Sequence, residues 1–193
     1  MQKTPLPSLR EATGGILPLA LLVLALGGLR DFENKFSAGG SKADFTVYIF
    51  LMEDCKICQS YTPTLKALYQ TYAPDGFDFI GVFPNASSRQ ESILSFQKTY
   101  ALPFPVKLDI DNKISRVLGA RLTPEVFVVD KASNKVLYRG RIDNAFFKLG
   151  QRRSVITTHE LQDALAALKR KQPVAVAKTE AVGCFITPRK LNN

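Results

Sequence analysis

The 193-residue chain has no tryptophan, one histidine and three cysteines. So small a supply of imidazole and thiol excludes a histidine-rich metal centre and a four-cysteine zinc site, because each needs more ligands than the chain holds. Disorder throughout is excluded as well. Hydrophobic residues make up 46% and charged residues 22%, the proportions of a sequence that buries a core. The length suits one domain with appendages rather than two full domains. Acid is scarce in the C-terminal part: residues 112–193 carry sixteen Lys and Arg against six Asp and Glu, so the net charge of +9 resides there. No nucleic-acid-binding motif or tight aromatic interleaving accompanies these bases, which include Arg139, Arg141, Arg152, Arg153 and Lys169 to Lys171. They read as a solvated basic face that can attract acidic partners or lipid head groups.

Charge is missing altogether from Ala12 to Leu29, and Ile16 to Leu26 is almost purely aliphatic, with Lys3 and Arg10 ahead of it. A basic lead and an apolar run of this length read as an export signal or a single membrane anchor. Ala25 and Gly27 match a cleavage site weakly and Pro18 interrupts the run, so the reading leans to a retained anchor with its basic end in the cytoplasm. The expected organisation is a signal peptide or anchor plus tether over 1–41, a folded domain over 42–172, and a tail over 173–193 that carries Cys184. The folded part then lies outside the cytoplasm, in the periplasm or an equivalent extracytoplasmic space, where a thiol pair can cycle with its disulfide.

From Ala43 onward, strand-like and helix-like segments alternate. Phe45 to Leu51 and Phe77 to Phe83 are short runs rich in β-branched and aromatic residues and read as strands. Between them Ile57, Tyr61, Leu65, Leu68 and Tyr72 recur at three- and four-residue spacing, the stripe of a helix. A second helix is expected over Ser88 to Tyr100, a short extended piece at Val106 to Leu108, and a helical segment at Asn112 to Leu118. Glu125 to Asp130 and Val136 to Arg141 flank the polar turn Lys131 to Lys135 and form a hairpin; a last helix follows from about Thr158 to Lys171, opened by His159. The order βαβα, hairpin, helix predicts an α/β fold, with a small mixed sheet flanked by helices and the first two strands parallel.

Cys55 and Cys58, spaced C-x-x-C, fall where the first strand hands over to the first helix. A thiol there faces unpaired backbone N–H groups and the positive end of the helix dipole, which favour thiolate. Cys55 is therefore the candidate nucleophile, and Cys58 lies nearly one turn on, close enough to close a disulfide with it. Lys56 adds a cation nearby, and Glu53 and Asp54 add opposing charge. Gln59 after the second cysteine excludes a c-type haem attachment. A static structural disulfide and half a zinc site stay open beside a redox pair, although no second C-x-x-C exists.

With those residues in register, the sequence resembles the thioredoxin superfamily. Pro63, five residues after Cys58, matches the proline of that family's active-site helix, and Thr123-Pro124 stands where the family places its cis-proline. The stretches Ala120 to Asp130, Tyr138 to Asp143 and Ala181 to Ile186 resemble the exported redoxin, or AhpC/TSA-like, branch. The resemblance implies a thioredoxin-like fold, a redox-active Cys55–Cys58 pair, and Thr123 and Pro124 as contacts for a substrate chain in extended conformation. Three departures limit it. Asp54 and Lys56-Ile57 replace the usual tryptophan and Gly-Pro; Ile49 replaces a buried acid that assists the second cysteine; and Met52 replaces the Thr or Ser that binds peroxide in peroxiredoxins.

The expected function is thiol–disulfide exchange with protein or small-thiol partners, without a cofactor, a bound metal or nucleic acid, and with the membrane as a further partner through the N-terminal segment. Two alternatives accompany it: a thiol peroxidase using Cys55, and a copper-binding module using Cys55, Cys58 and His159. Cys184 is the odd thiol. The extended tail from Pro173 can span roughly 36 Å, so Cys184 can reach Cys55 and resolve a mixed disulfide, link two chains, or pack as an inert apolar residue.

Overall fold

The computed structural model describes residues 43–189; the apolar segment Ala12 to Leu29 lies outside the described residues. Among the described residues no helix is long and apolar enough to cross a membrane. The element order is β1 (Phe45–Phe50), α1 (Lys56–Tyr72), β2 (Phe77–Phe83), α2 (Gln90–Thr99), β3 (Val106–Leu108), α3 (Lys113–Leu118), β4 (Leu122–Thr123), β5 (Glu125–Asp130), β6 (Val136–Gly140), β7 (Phe146–Lys148), β8 (Gln151–Arg152), α4 (Glu160–Lys169) and β9 (Cys184–Phe185).

The main sheet has the order β3-β2-β1-β5-β6. β1 sits at its centre because it is apolar on both faces, with Val47, Ile49 and Phe50 fully buried. It runs parallel to β2, with Phe45 opposite Phe77, and antiparallel to β5, with Phe50 opposite Glu125. A strand returning in the same direction needs a crossover, which α1 supplies, while the β5–β6 hairpin needs only a turn. Asn134, in the left-handed conformation at φ 55°, shapes that turn. The expected mixed sheet is therefore present.

Helix α1 buries Ile57, Tyr61, Leu65, Leu68 and Tyr72, the stripe read from the sequence, and adds Cys58 and Thr62 to the covered face. Leu65 is wholly buried, a burden on water whose removal stabilises by about 1.5–3 kcal/mol. Two helices begin later than their sequences indicate. Ser88 is drawn out of α2 by donating to Glu53 at 2.8 Å, leaving Arg89 extended at φ −131° as the N-cap. Thr158 is held outside α4 by Asn144, whose N–H donates to the Thr158 carbonyl at 3.3 Å and whose side-chain oxygen accepts from the Thr158 N–H at the same distance. His159 stands at the N-cap of α4, with no side-chain capping bond.

The segment after α4 is built into the fold at two stations. Arg139 N–H of β6 donates to the Ala177 carbonyl, and Thr179 N–H donates to the Arg139 carbonyl, both at 2.9 Å. Gly140 is needed there, since a Cβ on it would fall 2.1 Å from Thr179 Oγ1. Further on, β9 pairs antiparallel with β4, Thr123 opposite Cys184.

Candidate active site

β1 ends in a short turn that brings Cys55 to the N-cap of α1, in extended conformation at φ −80° and ψ 110°. Its carbonyl accepts the first helical bond, from Gln59 N–H at 3.0 Å, and its own N–H donates to Met52 at 3.3 Å. The turn is pinned from the side. Glu53 accepts hydrogen bonds from Ser88 at 2.8 Å and Ser92 at 2.6 Å, and Gln59 Nε2 donates to the Glu53 carbonyl at 2.7 Å. Lys56 donates to Gln59 Oε1 at 3.2 Å. Glu53 and Lys56 are thus engaged with neighbours rather than with sulfur.

The peptide bond between Thr123 and Pro124 is cis, and the Thr123 carbonyl lies 3.4 Å from Cys55 Sγ, in position to accept from it while the thiol is protonated. Immediately beyond, Glu125 is 6% exposed. Its Oε2 accepts from the N–H groups of Arg121 at 2.9 Å and Leu122 at 3.3 Å, and its Oε1 pairs with Arg139 at 2.9 Å. One buried carboxylate therefore fixes the approach to Thr123. Sequence reasoning passed over Glu125; the available signal was an acid opening an otherwise apolar strand.

The three cysteines are free thiols, and their environments drive them apart. Cys55 is lowered to about 5, first by the hydrogen bond from the Cys58 thiol, against the opposing effect of burial, and then by Cys184 and the N–H groups of Cys58 and Ile57 at the helix start. Cys58 is fully buried, and burial together with the neighbouring Cys55 anion pushes it well above an ordinary thiol. Burial and the same anion raise Cys184 to about 12. The shifts run in opposite directions, so the negative charge is favoured on Cys55 over either neighbour.

Cys184 Sγ donates to Cys55 Sγ at 3.0 Å, so the tail thiol is at the site and not at a distance from it. An open nucleophile is not what the structure holds. Cys55 is 1% exposed, while Cys184 is half-buried and reaches solvent. The structure brings Cys55, Cys58, Thr123 and Cys184 together, with Pro124 adjoining. Gly183 lies buried against the Thr123 carbonyl. In the sequence it was marked only as a member of the Ala181 to Ile186 stretch, with no role of its own.

Residues 31–138 match the AhpC/TSA family. Among curated proteins, the thiol-disulfide oxidoreductase ResA of Bacillus thuringiensis subsp. konkukian is 31% identical over 77 residues, covering 40% of this chain and 43% of that protein. The ResA of Geobacillus thermodenitrificans is 26% identical over the same length and shares. The chain thus spans less than half the length of these relatives. Among solved structures, a conserved protein from Geobacillus kaustophilus superposes with a TM-score of 0.69 at 24% identity, covering 80% of this chain and 83% of that one. A hypothetical protein from Sinorhizobium meliloti 1021 gives 0.69 at 21% identity, covering 84% and 85%. These likenesses show a shared fold.

Proposed function

Because this chain belongs to the AhpC/TSA family, the redoxin branch of the thioredoxin superfamily, we propose that it is a thiol–disulfide oxidoreductase acting on protein or small-thiol disulfides through Cys55 and Cys58. The observation that carries this reading is the placement of Cys55 at the N-cap of α1, with Cys58 on the first turn behind it and the Thr123 carbonyl of the cis Thr123–Pro124 bond 3.4 Å from its sulfur. The Cys55 thiolate attacks a substrate disulfide, forms a mixed disulfide and releases one substrate thiolate. Cys58 then loses its proton to that thiolate, attacks Cys55 Sγ, expels the second substrate thiolate and leaves the Cys55–Cys58 disulfide. Run in reverse, the same steps oxidise a dithiol. Thr123 and Pro124 are the proposed contacts for the substrate chain, and Cys184 a resolving thiol. The apolar segment Ala12 to Leu29 would hold the domain on the outer side of the cytoplasmic membrane, where its partners carry disulfides. The relatives named thiol-disulfide oxidoreductase support the activity.

A second reading, a thiol peroxidase with Cys55 peroxidatic, is favoured by the 3.0 Å contact to a resolving candidate, Cys184. Met52 in place of a hydroxyl residue weighs against it. Insulin-disulfide reduction by the full-length chain, abolished in Cys55→Ser, is the expected result. Peroxide consumption without insulin reduction would replace the first reading with the second.

A further inference from the structure

Cys55 and Cys58 are both buried, and of the three sulfurs gathered at the site only that of Cys184 belongs to a residue with appreciable exposure. The segment carrying it is docked as an added strand would be, with backbone pairing fixing the register and one side chain carried to a defined point. Ile186 N–H donates to the Arg121 carbonyl at 3.0 Å, and Thr123 Oγ1 donates to the Cys184 carbonyl at 3.3 Å. Beyond them, Thr187 is latched to the loop after β2: its N–H donates to Asn85 Oδ1 at 2.8 Å, and its carbonyl accepts from Ala86 N–H at 2.9 Å. Thr179 anchors the other end on β6, its N–H donating to the Arg139 carbonyl. A strap held at both ends thus lays one cysteine on the nucleophile, and a disulfide bond of about 2 Å is roughly 1 Å shorter than the contact already made.

We propose that residues 181–187 are a tethered stand-in for the substrate peptide, and that a reversible Cys55–Cys184 disulfide closes the site. The proposal rests on the exchange reading above. Closure begins when the Cys55 thiolate attacks a small-molecule disulfide and releases one thiolate. Cys184 gives its proton to that thiolate, attacks Cys55 Sγ and expels the second. Two protein thiols are oxidised and one disulfide becomes two thiols. Opening is either the reverse reaction with an external dithiol or attack by Cys58, which moves the bond to Cys55–Cys58 and returns Cys184 as a thiol. The strap also states what replaces it. A Cβ on Gly183 would fall 2.2 Å from the Thr123 carbonyl oxygen and 2.6 Å from its carbon. The substrate class is therefore an extended peptide with glycine directly before its reacting cysteine.

The test uses the full-length chain, oxidised with glutathione disulfide, quenched with N-ethylmaleimide and mapped by mass spectrometry. A Cys55–Cys184 cross-link is expected in wild type and as the dominant species in Cys58→Ser. Its absence from both would overturn the proposal. On the reduced chain, Gly183→Val and Thr187→Pro each release the strap by a different contact, the second without approaching any sulfur. Both are expected to raise iodoacetamide labelling of Cys55 roughly tenfold or more, as local opening controls access to a covered group, and to speed insulin reduction. Unchanged labelling in both would overturn the gate; slower turnover with faster labelling would overturn it too and make the strap a required relay instead. If the cross-link and the labelling gains are found while insulin is untouched by every form, the strap stands and the exchange reading falls.

Discussion

Removing the Cys58 thiol tests the electrostatic account of Cys55 directly, because its hydrogen bond is the largest influence holding that thiol down to about 5. With the Cys184 thiol and the two helix amides still in place, Cys58→Ala is expected to move the Cys55 midpoint to roughly 7, partway to the ordinary thiol value. The thiolate fraction at pH 5 then falls from about one half to about one hundredth, some 50-fold. The more basic thiolate is intrinsically about 8-fold more reactive, for a Brønsted slope near 0.45. Net alkylation at pH 5 is thus roughly 6-fold slower than wild type, the two rates cross near pH 6, and above pH 8 the variant is about 7-fold faster. The assay is iodoacetamide labelling of the Cys55 peptide, resolved by mass, from pH 4 to 9. Cys58→Ser keeps a donor and is expected to fall between wild type and Cys58→Ala, and Cys184→Ala to shift the midpoint less than Cys58→Ala. Profiles for Cys58→Ala and wild type that never cross, or a larger shift in Cys184→Ala, would refute the reasoning.

Glu125→Ala leaves the N–H groups of Arg121 and Leu122 and the Arg139 guanidinium without their shared acceptor. Urea unfolding should show a loss of about 3 kcal/mol. Leu65 is wholly buried in the core under α1, and Leu65→Ala should cost about 2–5 kcal/mol in the same assay. For Glu160, burial works against ionisation, but the hydrogen bonds from Arg141 and Thr158 outweigh it and hold the carboxyl below its ordinary value. A depressed folded value means that its contribution is complete above the free glutamate range and is lost as pH falls through the folded value. Glu160→Gln should therefore flatten the acid limb of the stability–pH curve, as read by thermal melts between pH 6 and 3.

The helix stripe of α1 and the strand character of β1, β2 and β5 are legible in the chain because they are periodic, and each period is completed within a few turns or a few residues. The position of Cys55 at the start of α1 follows from the same local pattern, and with it the nearby Cys58 thiol, the largest influence toward thiolate, and the smaller contribution of the helix amides. The starts of α2 and α4 were less legible. Side chains from elsewhere, Glu53 for Ser88 and Asn144 for Thr158, draw those residues out of the helix. The hairpin of β7 and β8 left no mark, since its short, largely exposed strands have no apolar alternation to read.

What the sequence alone determined is therefore the local hardware: the order of elements, the sulfur at the helix start and its partner one turn on. Tertiary structure decided who meets that sulfur. Thr123 lies 68 residues from Cys55 and Cys184 lies 129 away; the carboxylate fixing the Thr123 segment is shared with Arg139 on the neighbouring strand. Such contacts join segments of two or three residues, too short for a periodic signal. Their cost in loop closure grows only slowly with separation, so spacing along the chain neither favours nor forbids them. Only the tertiary structure, by setting β4 beside the nucleophile and pairing it with β9, brings a cysteine so distant in the chain onto Cys55.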